Sequence, residues 1–265
     1  MRRGRVNLRG RRVWVTGASA GIGEALLAPL SQAGARLAIS ARRAARLEVL
    51  RDRWAAAGSD VLVLPADVTD RAAMLGAAQR IEDAWGGVDL AIFNAGTYSP
   101  VSGTALDAGE FERQMQVNYM GVVNGIAAVL PGMLRRGTGH IAATSSLTAY
   151  LPLPNAAAYG ASKAALTYML RALRFDLLPR GVGVTVIHPG FVSTPLTAGN
   201  DFWMPALIGG DAAARIIVHG LARGKEEIHF PGRLSWPVKM LSSVPYPLYD
   251  RLTRLALRLT GQRGG

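Results

Sequence analysis

The chain of 265 residues contains no cysteine. That excludes a disulfide framework, a thiolate metal site and a cysteine nucleophile, and it suits a reducing compartment. Histidine is scarce as well. His140, His188, His219 and His229 stand far apart, without the spacing of metal ligands, so no metal is expected. No run of about eighteen uncharged apolar residues occurs, and no spanning helix is predicted. The basic start, "MRRGRVNLRGRRVWVTG", lacks the apolar stretch of a signal peptide. A soluble cytoplasmic protein is the expectation these absences set. Aromatic residues make up only 7%, and no basic stripe interleaves with them. The formal charge of +12 is spread over arginines at residues 2–12, 42–53, 135–136 and 251–263, so nucleic acid is not expected as a partner.

Apolar residues, by contrast, make up 49%, enough for a sizeable core. "RRVWVTGASAGIGEALLAPLSQAG" reads as a strand over 13–16, a glycine turn over 17–23 and a helix stopped by Gly34. "ARLAISAR", "DVLVLPADVTD", "VDLAIFNAG", "GHIAATSS" and "GVGVTVIHPG" read as further strands, with "KEEIHFP" a short seventh. Helical stretches stand between them: "AARLEVLRDRWAAAG", a helix from an Asp70 N-cap to Trp85, one over 111–130, and one carrying Tyr159 and Lys163. Strands such as Val13-Trp14-Val15 and Leu90-Ala91-Ile92-Phe93 are apolar throughout, as strands covered on both faces must be. The alternation predicts an α/β fold, a doubly wound parallel sheet between two helical layers. One domain is expected over residues 1–233, with a substrate-covering loop at about 195–215. Residues 234–265 form a proline-punctuated, basic and apolar helical extension.

Three local patterns bear on chemistry. In "TGASAGIG", glycines 17, 21 and 23 follow a strand and open a helix, whose free N–H groups and dipole suit a diphosphate. A tight strand–helix turn without a ligand has the same appearance. At the end of the second strand, an acidic residue would bind a ribose hydroxyl. "SARR" instead offers Arg42 and Arg43, suited to a 2′-phosphate, which favours NADP(H) over NAD(H); a solvated arginine pair is the alternative. In "YGASK", Tyr159 and Lys163 share one helix face. They are either ordinary surface or a phenol beside a fixed cation.

Taken in order, "TGASAGIG", Asp67-Val68, "NAG" at 94–96, Ser145-Ser146, "YGASK" and "HPGFVST" at 188–194 resemble the short-chain dehydrogenase/reductase family, over residues 8 to about 230. The resemblance implies a Rossmann fold and a set of site residues. Gly17, Ser19, Gly21, Ile22 and Gly23 would hold the cofactor diphosphate. Asp67 would meet the adenine amine and Val68 the ring, with Asn94, Ala95 and Gly96 beside the adenosine ribose. Pro189, Gly190, Val192 and Thr194 would lie against the nicotinamide and its carboxamide. Asn118, in "QVNYMG", would order a water of a proton relay. Ser146, rather than Ser145, would bond the substrate oxygen. Tyr159 would be the general acid/base, its pKa lowered by Lys163 together with the positive nicotinamide of the oxidised cofactor; Lys163 would also hold the nicotinamide ribose. One departure is Phe93, where the family usually has a first asparagine before "NAG"; another is Ala20, where some NADP-users carry a basic residue.

The implied activity is NADPH-dependent reduction of a ketone or aldehyde, reversible as alcohol oxidation. The alternative is a catalytically silent dinucleotide-binding regulatory or scaffold protein. Phe202, Trp203, Met204, Leu207 and Ile208 after Thr194, with Met120, Leu147, Tyr150 and Leu153, suit an apolar or lipid-like small-molecule carbonyl, or else pack on the protein itself or a neighbouring subunit. A homodimer or homotetramer through helices at about 105–130 and 155–175 is what the family implies. The tail "LYDRLTRLALRLTGQR" suits docking on a subunit or a plain surface helix, in preference to peripheral contact with an anionic membrane.

Overall fold

The continuously apolar strands find cover on both sides. A computed structural model describes residues 7–199, 203–245, 247–248 and 251. Its strands are β1 (Arg12–Thr16), β2 (Arg36–Ser40), β3 (Val61–Val63), β4 (Leu90–Phe93), β5 (Gly139–Thr144), β6 (Val182–Pro189), β7 (Val192–Ser193), β8 (Ile208–Gly209) and β9 (Glu227–Phe230). Seven of them form one parallel sheet in the order β3-β2-β1-β4-β5-β6-β9. The helices are α1 (Gly21–Gln32), α2 (Ala44–Ala56), α3 (Arg71–Trp85), α4 (Ala108–Met115), α5 (Gly121–Arg136), α6 (Ala157–Leu177), α7 (Gly210–Ala222) and α8 (Gly232–Leu241).

Successive strand residues point to opposite faces, and the two cores divide accordingly. Val13, Val15 and Ile39 pack with Leu26 and Leu30 of α1, Leu47 and Leu50 of α2, and Ile217 and Leu221 of α7. Trp14 and Ala91 face the other way, onto Met74 and Ile81 of α3, Ile126 of α5 and Leu166 and Leu170 of α6. The result is the expected three-layer doubly wound fold. Strand order reverses between β1 and β4, so their carboxyl ends open a crevice of the kind where such sheets take ligands.

Local signals account for several boundaries. Asp70 caps α3, accepting from Ala73 N at 3.0 Å, and Gly86 (φ +76°) ends that helix in the left-handed conformation. The helix read over 111–130 is longer and interrupted. α4 and α5 are joined by a π-helical turn, Gln116–Met120, and α5 runs on to Arg136. The whole stretch Ala108–Arg136 is apolar and long enough by composition to cross a membrane, but half of its most apolar window is buried against the protein. The parallel pair β7 and β8 is an addition to the expected elements, and it ties the two ends of the loop that follows β6. "KEEIHFP" does supply the seventh strand of the sheet, β9. α8 begins just before residue 234 and packs on β9. Phe202 and most of the tail beyond residue 248 lie outside the described residues.

Candidate active site

The glycine turn and the start of β4's exit loop are built against each other. Thr16 Oγ1 accepts from Asn94 N at 3.1 Å and Ala95 N at 3.3 Å. A Cβ on Gly17 (φ +67°) would stand 2.8 Å from Ala95 Cα, and one on Gly23 would overlap the Gly17 carbonyl oxygen. Only glycine allows this approach. A Cβ on Gly21 would come within 3.2 Å of Thr194, so the expected nicotinamide loop closes onto the expected diphosphate turn. Ala20, the N-cap of α1, supplies no side-chain cap, which leaves that helix's first N–H groups for an anion. Ser19 is buried in the turn, and Ile22 packs at the edge of the core beneath it.

The arginines after β2 separate in role. Arg43 Nη2 donates to Ser19 O and Oγ, both at 3.0 Å, linking that strand's end to the glycine turn. Arg42 is 80% exposed, with Nη1 4.0 Å from Asp67 Oδ2. Asp67 Oδ1 accepts from Thr69 N at 2.9 Å and Thr69 Oγ1 at 2.8 Å, and Val68 packs against Gly121. Phe93 does not enter the crevice. It is buried in the core, edge-on to Trp14 at 6.1 Å, over a Gly125 whose missing side chain makes its room.

The candidate catalytic side chains converge beside this turn. The π-helical turn carries Asn118 fully buried. Its Nδ2 donates to Thr97 O at 2.9 Å and Ser162 Oγ at 3.0 Å, and its Oδ1 accepts from Thr97 N at 2.8 Å. Ser162 Oγ in turn donates to Tyr159 O at 2.7 Å. Lys163, buried, donates from Nζ to Thr144 O at 2.8 Å and lies 5.7 Å from the Tyr159 ring centre. A Cβ on Gly96 would come 3.2 Å from Asn118 Oδ1 and 3.6 Å from Lys163 Nζ, so Gly96 leaves the space between them. Ser146 caps the turn Leu147–Ala149, accepting from Thr148 N at 3.2 Å, and hydrogen-bonds the Tyr159 phenol. Ser145 is bonded instead to Lys163 O and Thr167 Oγ1, inside the core. Gly190 donates its N–H to Phe230 O at 2.7 Å and is packed under Leu234 and Leu147, next to Pro189 at the end of β6; Val192 is buried in β7.

Burial governs the charges. It pushes the Tyr159 phenol up to about 12; the Ser146 hydrogen bond draws it back, and nearby Tyr98 adds to the rise. It also pulls the Lys163 ammonium down to about 7. Desolvation therefore dominates the phenol in the protein alone, without the positive charge of an oxidised nicotinamide that is part of the expected lowering. Tyr159 stays a protonated donor at neutral pH, beside a lysine poised to give or take a proton. Tyr98, edge-on to Tyr159 at 5.2 Å, is a neighbour the motifs did not flag, because it lies outside them in the loop after "NAG".

Comparison with known proteins agrees with this geometry. The model of the short chain dehydrogenase family matches residues 11–204. An uncharacterized oxidoreductase of Myxococcus xanthus is 38% identical over 244 residues, covering 92% of this chain and 96% of that one. A short chain dehydrogenase from Burkholderia cenocepacia, solved in complex with NADP, superposes with a TM-score of 0.81 at 28% identity, covering 93% of this chain and 99% of that one. A short chain dehydrogenase/reductase from Burkholderia phymatum, solved in complex with NAD, shares the fold with a TM-score of 0.82 at 24% identity, covering 88% and 93%. The chain belongs to the short chain dehydrogenase family. It is an oxidoreductase acting on the CH–OH/C=O couple with a nicotinamide dinucleotide. The cradle fits such a group: the first N–H groups of α1 have no side-chain cap, and the lysine buried beyond them has no carboxylate partner among the described residues.

Proposed function

We propose that the protein reduces an apolar ketone or aldehyde with NADPH, and runs the reverse alcohol oxidation, with Tyr159 as general acid/base. The observation that carries this is that Asn118 and Lys163 meet at Gly96, in the loop packed on the glycine turn, with Lys163 beside the Tyr159 ring and Ser146 bonded to its phenol. The bound nicotinamide supplies or accepts the hydride. Ser146 and Tyr159 hydroxyls polarise the carbonyl oxygen, and Tyr159 delivers its proton there. Lys163 supports the phenolate left behind. Its pKa of about 7 lets it restore the proton, by way of water ordered at Asn118.

The 2′-phosphate preference rests on Arg42 and Arg43. Both stand at the end of β2, and Arg43 already reaches the glycine turn. The two solved neighbours hold NADP and NAD respectively, so support for NADP comes from the arginines alone. An apolar substrate is supported by the exposed Leu106, Leu153, Leu196, Trp203 and Leu207. They lie in the loops after β4, β5 and β6, which all leave the carboxyl edge of the parallel sheet. Self-association is supported by Tyr168 and Phe175, 79% and 74% exposed on α6.

Fluorescence titration with NADPH and NADH, followed by turnover of apolar ketones read as NADPH oxidation, tests the reading. Tyr159→Phe is expected to lose roughly 10²–10⁴-fold in kcat while keeping NADPH affinity. Normal turnover by that variant would remove the mechanism. Arg42→Ala and Arg43→Ala are expected to weaken NADPH much more than NADH.

A further inference from the structure

Behind Ser146 lies a group of polar side chains, fully buried at His188, that the mechanism does not use. His188, at the end of β6, is fully buried. Its Nδ1 lies 3.0 Å from Ser146 O. A carbonyl only accepts, so Nδ1 carries the proton and donates. His188 Nε2 is buried with no hydrogen-bond partner among the described residues. Burial draws the imidazole down to about 4, against the Ser146 carbonyl and Glu227, which favour the charged form; Arg171 and Lys239 also lower it. The ring therefore stays neutral, and its single N–H is committed to Ser146.

The ring is itself held. Tyr150 stacks on His188 with centres 4.6 Å apart and planes tilted 42°. The Tyr150 hydroxyl donates to Glu227 Oε1. The same carboxylate accepts from Lys239 Nζ at 2.7 Å and from Arg171 Nη2 at 3.4 Å. Burial opposes ionisation of Glu227, but the Lys239 and Tyr150 hydrogen bonds hold its pKa down to about 2, so the clamp stays charged. Lys239 belongs to α8, whose Leu234, like Leu147, lies against Gly190. Glu227 and Lys239 lie beyond residues 11–204, where the family model matches. The C-terminal segment thus reaches the active-site serine through an unbroken series of contacts.

We propose that His188, Tyr150 and Glu227, anchored by Lys239 of α8, are positioning residues that fix the Ser146 backbone, and with it the Ser146 hydroxyl against the Tyr159 phenol. Ser146 has extended backbone (φ −163°, ψ 161°) at the head of a one-turn 3-10 segment; Ser145 N before it donates to Ile187 O of β6 at 2.7 Å, and the bond from His188 to the Ser146 carbonyl is the one side-chain tie from β6 to Ser146 among the described residues. The consequence rests on the reductase reading, since a misplaced Ser146 would be felt at the carbonyl oxygen.

The test uses the full chain and three variants. His188→Leu removes the donor. His188→Asn keeps an N–H near the position of Nδ1. Lys239→Met frees one corner of the Glu227 clamp from the partly exposed side. With an apolar ketone and NADPH, His188→Leu is expected to lose about 10- to 100-fold in kcat, with NADPH affinity and the KM for NADPH nearly unchanged. His188→Asn is expected to recover most of that loss, and Lys239→Met to show a smaller loss in the same direction. Equal losses for Leu and Asn, or full kcat in His188→Leu, would overturn the proposal. A ¹⁵N spectrum of the histidine rings gives a reading that needs no turnover. His188 is expected as the neutral Nδ1–H tautomer, unchanged between about pH 5 and 8. The other tautomer, or a titration in that range, would overturn the proposal even if no ketone is reduced. Absence of turnover with the expected tautomer would instead count against the reductase reading.

Discussion

One methyl group has opposite consequences at two glycines. At Gly23 a Cβ would overlap the Gly17 carbonyl and stand 2.7 Å from Asn94 Nδ2. Gly23→Ala must therefore push the turn away from the loop after β4, and loss of both NADPH and NADH binding is expected by titration. Equal loss is the informative result, since a diphosphate contact is common to both. Gly76 is exposed in the interior of α3, and a Cβ there would meet nothing within 4 Å. Gly76→Ala should raise unfolding stability by roughly 0.5–1 kcal/mol through reduced backbone entropy in the unfolded chain, measured by urea denaturation. Both glycines look alike in the sequence, and only "TGASAGIG" marks the first as special. His188 shows the converse. His188 opens "HPGFVST", but the motif gives it no role, and its bond to Ser146 becomes visible only when β6 and the loop after β5 are side by side.

At the scale of elements, strands were the most legible part. Parallel strands buried on both faces are written as near-continuous apolar runs; β4 is one, and β1, β5 and β6 are apolar apart from their ends, His140 and Thr185. The π-helical turn was not legible, because "QVNYM" holds no glycine or proline and continues the helical pattern of its flanks. The resemblance named Asn118 but could not tell how it comes to be buried. Nor was the desolvation of Tyr159 legible, for burial is a tertiary quantity. Spacing set Lys163 one turn from Tyr159 on α6, but the sheet and the loops after β4 and β5 desolvate both. A pH profile follows from that desolvation. Lys163 sheds its proton as pH rises through about 7, while Tyr159, held near 12, keeps its own. Carbonyl reduction should therefore fall with a single ionisation near neutrality, seen in kcat/KM against pH for an apolar ketone. A profile flat to pH 9 would show that the lysine charge is not needed.

On the scale of the whole molecule, the two ends of the sheet do different work. The carboxyl ends hold the glycine turn, Ser146 and the apolar rim. The amino ends hold a fastening between β1 and β4. Arg12 donates from Nε to Asp89 Oδ2 at 2.9 Å, from Nη2 to Oδ1 at 2.5 Å and from its backbone N to Oδ2 at 3.0 Å, and its Nη1 reaches Trp85 O at 2.9 Å. Burial raises the Asp89 pKa, but the Arg12 hydrogen bonds outweigh it and the net shift is downward. A carboxyl whose folded pKa is depressed contributes stability above its unfolded pKa, and that stability is lost as pH falls through the folded value. The loss adds to the self-repulsion of a chain already at +12, whose positive charge grows as carboxylates are neutralised. Asp89→Asn should thus cost roughly 1–3 kcal/mol at pH 7, and the variant's stability should fall less steeply than the wild type's below about pH 4. Because the fastening lies at the end of the sheet opposite the crevice, NADPH affinity at pH 7 should be unchanged. Thermal unfolding from pH 3 to 7, alongside an NADPH titration of the same variant, measures both. A loss of affinity in a variant that remains folded would mean that the two ends of the sheet are coupled, and that strain between β1 and β4 is felt at the glycine turn that follows β1 and packs on the loop after β4.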